Sequence, residues 1–118
     1  MTSMRERSEE HERMLEPHRV EEQRNARKEA EDRLRDRGIP LFPPDTDDQV
    51  ADLLDAIERF ESAVEALGGD LHVNRLGSSA PQDRAFVPPV RAPGENAEHY
   101  RSRVLTAAAA LRRRERAD

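Results

Sequence analysis

The chain has 118 residues, 38% of them charged and only 3% aromatic, with a formal net charge of −5. Its 22 Leu, Ile, Val and Phe residues make up about 19% of the length, at the lower edge of what sustains an independent core. That length allows one domain with an appended arm. The absence of cysteine excludes disulfides, thiolate zinc sites and a thiol nucleophile, and no apolar run approaches the roughly 20 residues that span a bilayer.

The large apolar residues are unevenly placed: 20 of the 26 lie between Ile39 and Leu111, and only six precede Gly38. This distribution divides the chain into a charged helical arm, residues 1–38, and a small helical core, residues 39–118. The N-terminus carries no apolar signal-peptide segment, so the cytoplasm is the expected setting. Nineteen of the 20 basic residues are arginine, Lys28 being the exception. The arginines are scattered, which fits a bacterial-like, GC-rich coding bias better than a phosphate-binding array.

Residues 3–37 read as helix, opened by the capping-box pattern of Ser3 and Glu6 and stopped by Gly38. Oppositely charged residues recur four apart, as Glu9 with Arg13, Glu29 with Arg33 and Glu31 with Arg35, each pair stabilising by about 0.2–0.5 kcal/mol. Pro17 lacks the N–H that a helix interior requires and predicts a break or kink near residues 16–18. The apolar seam is thin, consisting of Met14, Leu15, Val20, Ala30 and Leu34, with Arg27 where a seam residue belongs. A helix of that kind is a solvated arm or one side of a contact.

Residues 38–45, GIPLFPPD, form a proline-punctuated connector whose Ile39, Leu41 and Phe42 are apolar enough to pack onto the core. The Pro40 and Pro43 spacing matches a polyproline ligand, but one short copy is better read as a helix stop with buried flanks. Thr46 and Gln49 then make a second capping box. Val50, Leu53, Ile57, Phe60, Val64 and Leu67 follow at alternating spacings of three and four, with Leu54 widening the stripe. Gly68 and Gly69 end this helix, residues 47–67.

Residues 68–95 are a long irregular strap rich in proline and glycine. Leu71 to Val73 and Ala85 to Val87 are two short extended candidates within residues 70–90 that would pair, at most, as a minimal hairpin limited by Pro88. Asn96 is a fair N-cap for a last helix, residues 97–115, whose apolar face is Tyr100, Val104, Leu105, Ala108 and Leu111. Residues 99–116 carry +5 and residues 46–67 carry −6. Opposite charge favours docking of these two helices, and the long strap between them predicts an antiparallel arrangement. The fold class is all-α.

No catalytic, cofactor or metal site is expected. His11 and His18 lie two helical turns apart, too far to share one metal, and His18 with Glu22 reads as a surface ion pair. The carboxylates Asp48, Asp52, Asp55, Glu58, Glu61 and Glu65 fall on the polar side of an amphipathic helix. They read as a solvated face, not as an acid–base pair with a raised pKa or a calcium loop. Ser78 and Ser79 have no nucleophile-elbow glycines around them, and no glycine loop is fit to cradle phosphate. His72, His99 and Tyr100 are the remaining groups of interest, and Tyr100 sits on an apolar helix face.

Two function classes follow. The leading expectation is a non-catalytic interaction or accessory protein, a subunit of a larger assembly, contacting a protein partner or a second copy of itself. Its contact residues would be Met14, Leu15, Val20, Leu34, Leu54 and Phe60. The alternative is a small nucleic-acid-binding or regulatory protein using Arg112, Arg113, Arg114 and Arg116, which would neutralise phosphates but lack interleaved aromatics for base stacking.

Overall fold

A computed structural model describes the backbone of residues 4–117 and the side chains of residues 19–117. Three helices are present: α1 (Met4–Asp36), α2 (Asp47–Ala66) and α3 (Ala97–Ala117), with a 3₁₀ turn at Arg84–Phe86 between the last two. The architecture is all-α. The backbone of helix α1 continues through Pro17, so the helix is not divided into two pieces there. The Ser3 cap and the side chains of Met14, Leu15, His11, His18 and the Glu9–Arg13 pair lie outside the described residues.

The helix ends follow from local chemistry. Thr46 accepts from the N–H of Gln49 at 3.2 Å while the Gln49 side chain accepts from the N–H of Thr46 at 2.9 Å, closing the capping box and satisfying two otherwise orphaned donors. Asn96 caps α3 by accepting from the N–H of Glu98 at 2.7 Å. At the end of α1, Gly38 has φ +76° and donates to Arg35, while Ile39 donates to Leu34. This is the Schellman arrangement, and the residues it brings together, Leu34 and Ile39, are both buried, as that motif favours. Helix α2 ends the same way, with Gly68 donating to Glu65 and Gly69 to Val64.

The amphipathic stripe of α2 is covered as its spacing requires. Val50, Leu53, Ile57, Phe60 and Val64 are each at most 1% exposed, and Leu54 and Leu67 pack at the margin of the cluster. The facing residues are Ala97, Tyr100, Val104, Ala108 and Leu111 of α3 on one side and Ala30, Leu34 and Ile39 on the other. The core therefore reaches back across Gly38 into the last turns of α1. Leu34 and Phe60, expected as partner contacts, are instead sealed inside this core, because the chain supplies its own cover for them.

The helices run in the same direction. Arg27 pairs with Asp47 at the start of α2 and Arg37 pairs with Glu61 near its end, so α1 and α2 are parallel. Arg91 and Asp45, the segments preceding α3 and α2, are joined at 2.7 Å. At the other end, Arg114 of α3 lies over Phe86, and Phe86 abuts Gly69 just beyond α2. So α2 and α3 are parallel as well, contrary to the antiparallel arrangement the strap length suggested. The physical reason is that both connections return the chain along the bundle. Ten helical residues rise about 15 Å, which the residues from Gly38 to Asp45 cover easily at about 3.3 Å each.

The strap does not form a hairpin; there is no strand among the described residues. Its two arms are held by side chains. Gln82 accepts from the N–H of Asp70 and from the Asn74 amide, both at 2.9 Å, and donates its own N–H to Asn74 Oδ1 at 2.9 Å. Asn74 also donates to the Asp70 carbonyl at 2.7 Å and is buried. A side-chain clamp takes the place of a backbone ladder, while residues 84–86 are drawn into a 3₁₀ turn capped by Asp83. Gly69 is required by space: a Cβ there would stand 2.4 Å from Val64 Cγ1 and 3.0 Å from Phe86 Cδ2.

Candidate functional site

The polar groups of the core end separate into one buried, closed assembly and one open trough. The closed assembly joins the two proline-rich returns. Arg91, with a side chain only 1% exposed, makes a bidentate pair with Asp45 at 2.7 and 2.8 Å. Its remaining donors reach the Pro40 carbonyl at 3.2 Å and the Glu95 carbonyl at 3.2 and 3.0 Å. All five guanidinium N–H groups are thus matched, and the Phe42 ring covers the guanidinium at 4.4 Å. Such a group is fully satisfied and has no donor left for a ligand. The Arg91 hydrogen bonds hold the Asp45 carboxyl below its usual range against the opposing effect of burial, with help from the N–H of Phe42.

Glu95 extends the assembly. Its carboxylate accepts from Arg103 at 2.9 and 3.0 Å, from the N–H of Ala92 at 3.0 Å and lies 2.6 Å from His99 Nδ1. Burial opposes its ionisation, yet these donors outweigh it and bring the carboxyl from 4.5 to about 2. Tyr100 donates to the Pro89 carbonyl at 2.8 Å, and burial pushes its hydroxyl up to about 12. The tyrosine is a core residue fastening the strap. His99 is largely exposed beside Glu95, and His72 is exposed on the strap at the opposite end.

The open trough lies between α1 and α2. Its floor is Ala26, Ala30, Ala51 and Leu54, and two depressions of about 460 and 320 Å³ open onto it and share the three alanines. Along the rim, Arg27 holds Asp47 at 2.5 Å and Glu31 at 2.6 Å. Its third partner is the Asp45 carbonyl, at 3.0 Å. Arg33 holds Glu29 at 2.7 Å and Arg59 holds Asp55 at 2.9 Å. Of the charged pairs read from spacing, Glu29 with Arg33 forms, whereas Glu31 turns to Arg27 and Arg35 to Asp32. Arg27, which seemed misplaced in the seam, is there to tie α1 to the start of α2.

The expected contact residues are therefore distributed unequally. Val20 is 46% exposed, Leu54 is half-buried on the trough floor, Leu34 and Phe60 are internal, and the Met14 and Leu15 side chains are outside the described residues. The arginines of the alternative reading are partly engaged. Arg112 pairs with Glu115 at 3.6 Å, and Arg114 pairs with Asp83 at 3.1 Å and stacks on Phe86. Arg113 and Arg116 are exposed and form no salt bridge among the described residues.

The acidic face of α2 and the basic face of α3 do not pair with each other: among the described residues no salt bridge joins them. Instead the α2 acids Asp47 and Glu61 meet Arg27 and Arg37, and the α3 arginines Arg103 and Arg114 meet Glu95 and Asp83 of the strap. Docking of α2 on α3 is apolar. Sequence reasoning missed Arg91 and Asp45, since each sits in a proline-rich loop where an isolated charge reads as solvated.

No helix among the described residues is long and apolar enough to cross a membrane, and no group of three metal-ligating side chains converges there. Comparison with family models, with curated proteins and with solved structures returns no match.

Proposed function

We propose that this chain is a non-catalytic interaction or accessory protein, a subunit of a larger assembly in the cytoplasm, which meets its partner through α1 and the α1–α2 face. The observation that carries this reading is the length of α1. Its register against α2 begins at Gln23 and Arg27, which lie beside Thr46 and Asp47. Helix α1 has 33 residues, and its described side chains before Gln23, those of residues 19–22, lie before the start of α2. Residues 19–26 are exposed throughout. This exposed stretch of helix has little internal surface to pack on, and most helix stability in proteins comes from packing.

Native mass spectrometry of the chain isolated at its natural abundance tests the proposal. A defined assembly of fixed stoichiometry is expected, and deletion of residues 1–22 should abolish it while leaving the core's unfolding transition in place. A monomer at every concentration and with every native fraction would overturn it. The nucleic-acid alternative is less well supported, because Arg112 and Arg114 already have partners, leaving Arg113 and Arg116 of that cluster without a salt bridge among the described residues. It predicts polyanion binding with a steep salt dependence, lost when Arg113 and Arg116 become Gln.

A further inference from the structure

We infer that the trough between α1 and α2 is a docking groove for one basic amphipathic helix of a partner protein, an inference that rests on the interaction role proposed above. The floor residues Ala26, Ala30 and Ala51 are small and Leu54 is half-buried, so a helix laid along them can approach to the usual 8–10 Å between axes. One exposed apolar side chain, Val20, lies past the two depressions. Val20, Gln23, Arg27 and Ala30 stand three, four and three residues apart, on one face of α1, and Val20 prolongs the floor by a turn beyond the start of α2. Leu54 and Val20 are thus the two members of the expected contact set that this face offers to a partner.

The rim decides the occupant's chemistry. The two depressions are lined by five carboxylates, Glu29, Asp47, Asp48, Asp55 and Glu58, against two guanidiniums, Arg27 and Arg33, with Arg59 joining the rim through Asp55. Asp48 and Glu58 form no salt bridge among the described residues, so the groove has carboxylates free to meet cations. An acidic helix or a polyanion would be repelled at this rim. A second copy of the chain is a poor occupant. Residues 4–26 hold seven acidic residues against five basic, and the apolar face of the basic helix α3 is already buried. A separate helix with lysine or arginine flanking a short leucine-type seam fits both the floor and the rim.

The test is an amide-resolved NMR titration of the full chain with two synthetic helical peptides that share one leucine seam. One peptide carries lysine on its polar face and the other glutamate. The lysine peptide is expected to give saturable shifts centred on Ala26, Ala30, Ala51 and Leu54, weakened about tenfold or more by high salt, while the glutamate peptide gives none. The double variant Asp48→Lys with Glu58→Lys should reverse that preference. Both side chains are exposed, and an unchanged circular dichroism spectrum would confirm that the fold persists. Equal response to both peptides, shifts centred elsewhere, or no shift at millimolar peptide would overturn the groove. So would trough shifts that appear on concentrating the chain alone, which would assign the face to a second copy. If the groove fails while native mass spectrometry still returns a defined assembly, the interaction role stands on another surface; a lone monomer there removes the role itself.

Discussion

Two stretches of the chain along α1, residues 27–37 and residues 19–26, show what a charged sequence does beside a neighbour and facing solvent. From Arg27 onward, every third or fourth residue meets α2 or the connector: Arg27 on Asp47, Ala30 and Leu34 in the core, Arg37 on Glu61. Over residues 19–26 the same kind of sequence is exposed throughout. The contrast continues in the ion pairs. Arg91 and Asp45 are enclosed and completely hydrogen-bonded, whereas Glu29 with Arg33 is a solvent-facing pair four residues apart. Charge in this protein is enclosed where the proline-rich returns cover it and faces solvent where they do not.

That comparison breaks most sharply at the core. Phe60→Ala should cost about 3–5 kcal/mol of unfolding free energy in urea denaturation, while Val20→Ala on the exposed stretch should stay within about 0.5 kcal/mol. Near-equal effects would show that the exposed stretch is packed in the isolated chain.

The buried pair should respond almost as strongly. Arg91→Met leaves the Asp45 carboxylate enclosed without its partner, an expected loss of about 3–5 kcal/mol. Replacing both residues, Asp45→Leu with Arg91→Met, should recover much of it, since a buried ion pair exchanged for apolar groups is often close to neutral. Failure of the double variant to recover would mean that the carbonyl contacts to Pro40 and Glu95 matter more than the pair itself.

A smaller effect is expected from acid. The Glu95 carboxyl is depressed in the fold from 4.5 to about 2, so its contribution is fully present above pH 4.5 and is lost as pH falls towards 2. Asp45 is depressed in the same sense. Glu95→Gln should therefore flatten the loss of stability between those pH values, read by thermal unfolding across an acid series; an unchanged slope would assign the acid response to other groups.

Much of the architecture can be read from the residues in order. The stripe of α2 at spacings of three and four, the Thr46 and Gln49 capping box and the Asn96 cap depend on contacts within a few residues, and the sequence carries those contacts whole. The covered face of α2 follows for the same reason. The candidate site was only partly readable. Val20 and Leu54 were identifiable as apolar residues beside a polar face, but Leu34 and Phe60 have the same local pattern and differ only in having a neighbour.

Three features belong to the tertiary structure alone. The parallel direction of the helices depends on where the two returns lead, and strap length permits either direction. The partners of the charges were set by that choice: with α2 and α3 docked through apolar faces, their opposite charges turn outward to Arg27, Arg37, Glu95 and Asp83. Arg91 was invisible in a loop of prolines until the fold brought Asp45, Pro40, Phe42 and Glu95 around it. The amphipathic helix was determined by the sequence because periodicity is local. Which surface stayed uncovered was decided by packing, because an acidic rim over an alanine floor exists only once α1 and α2 lie side by side.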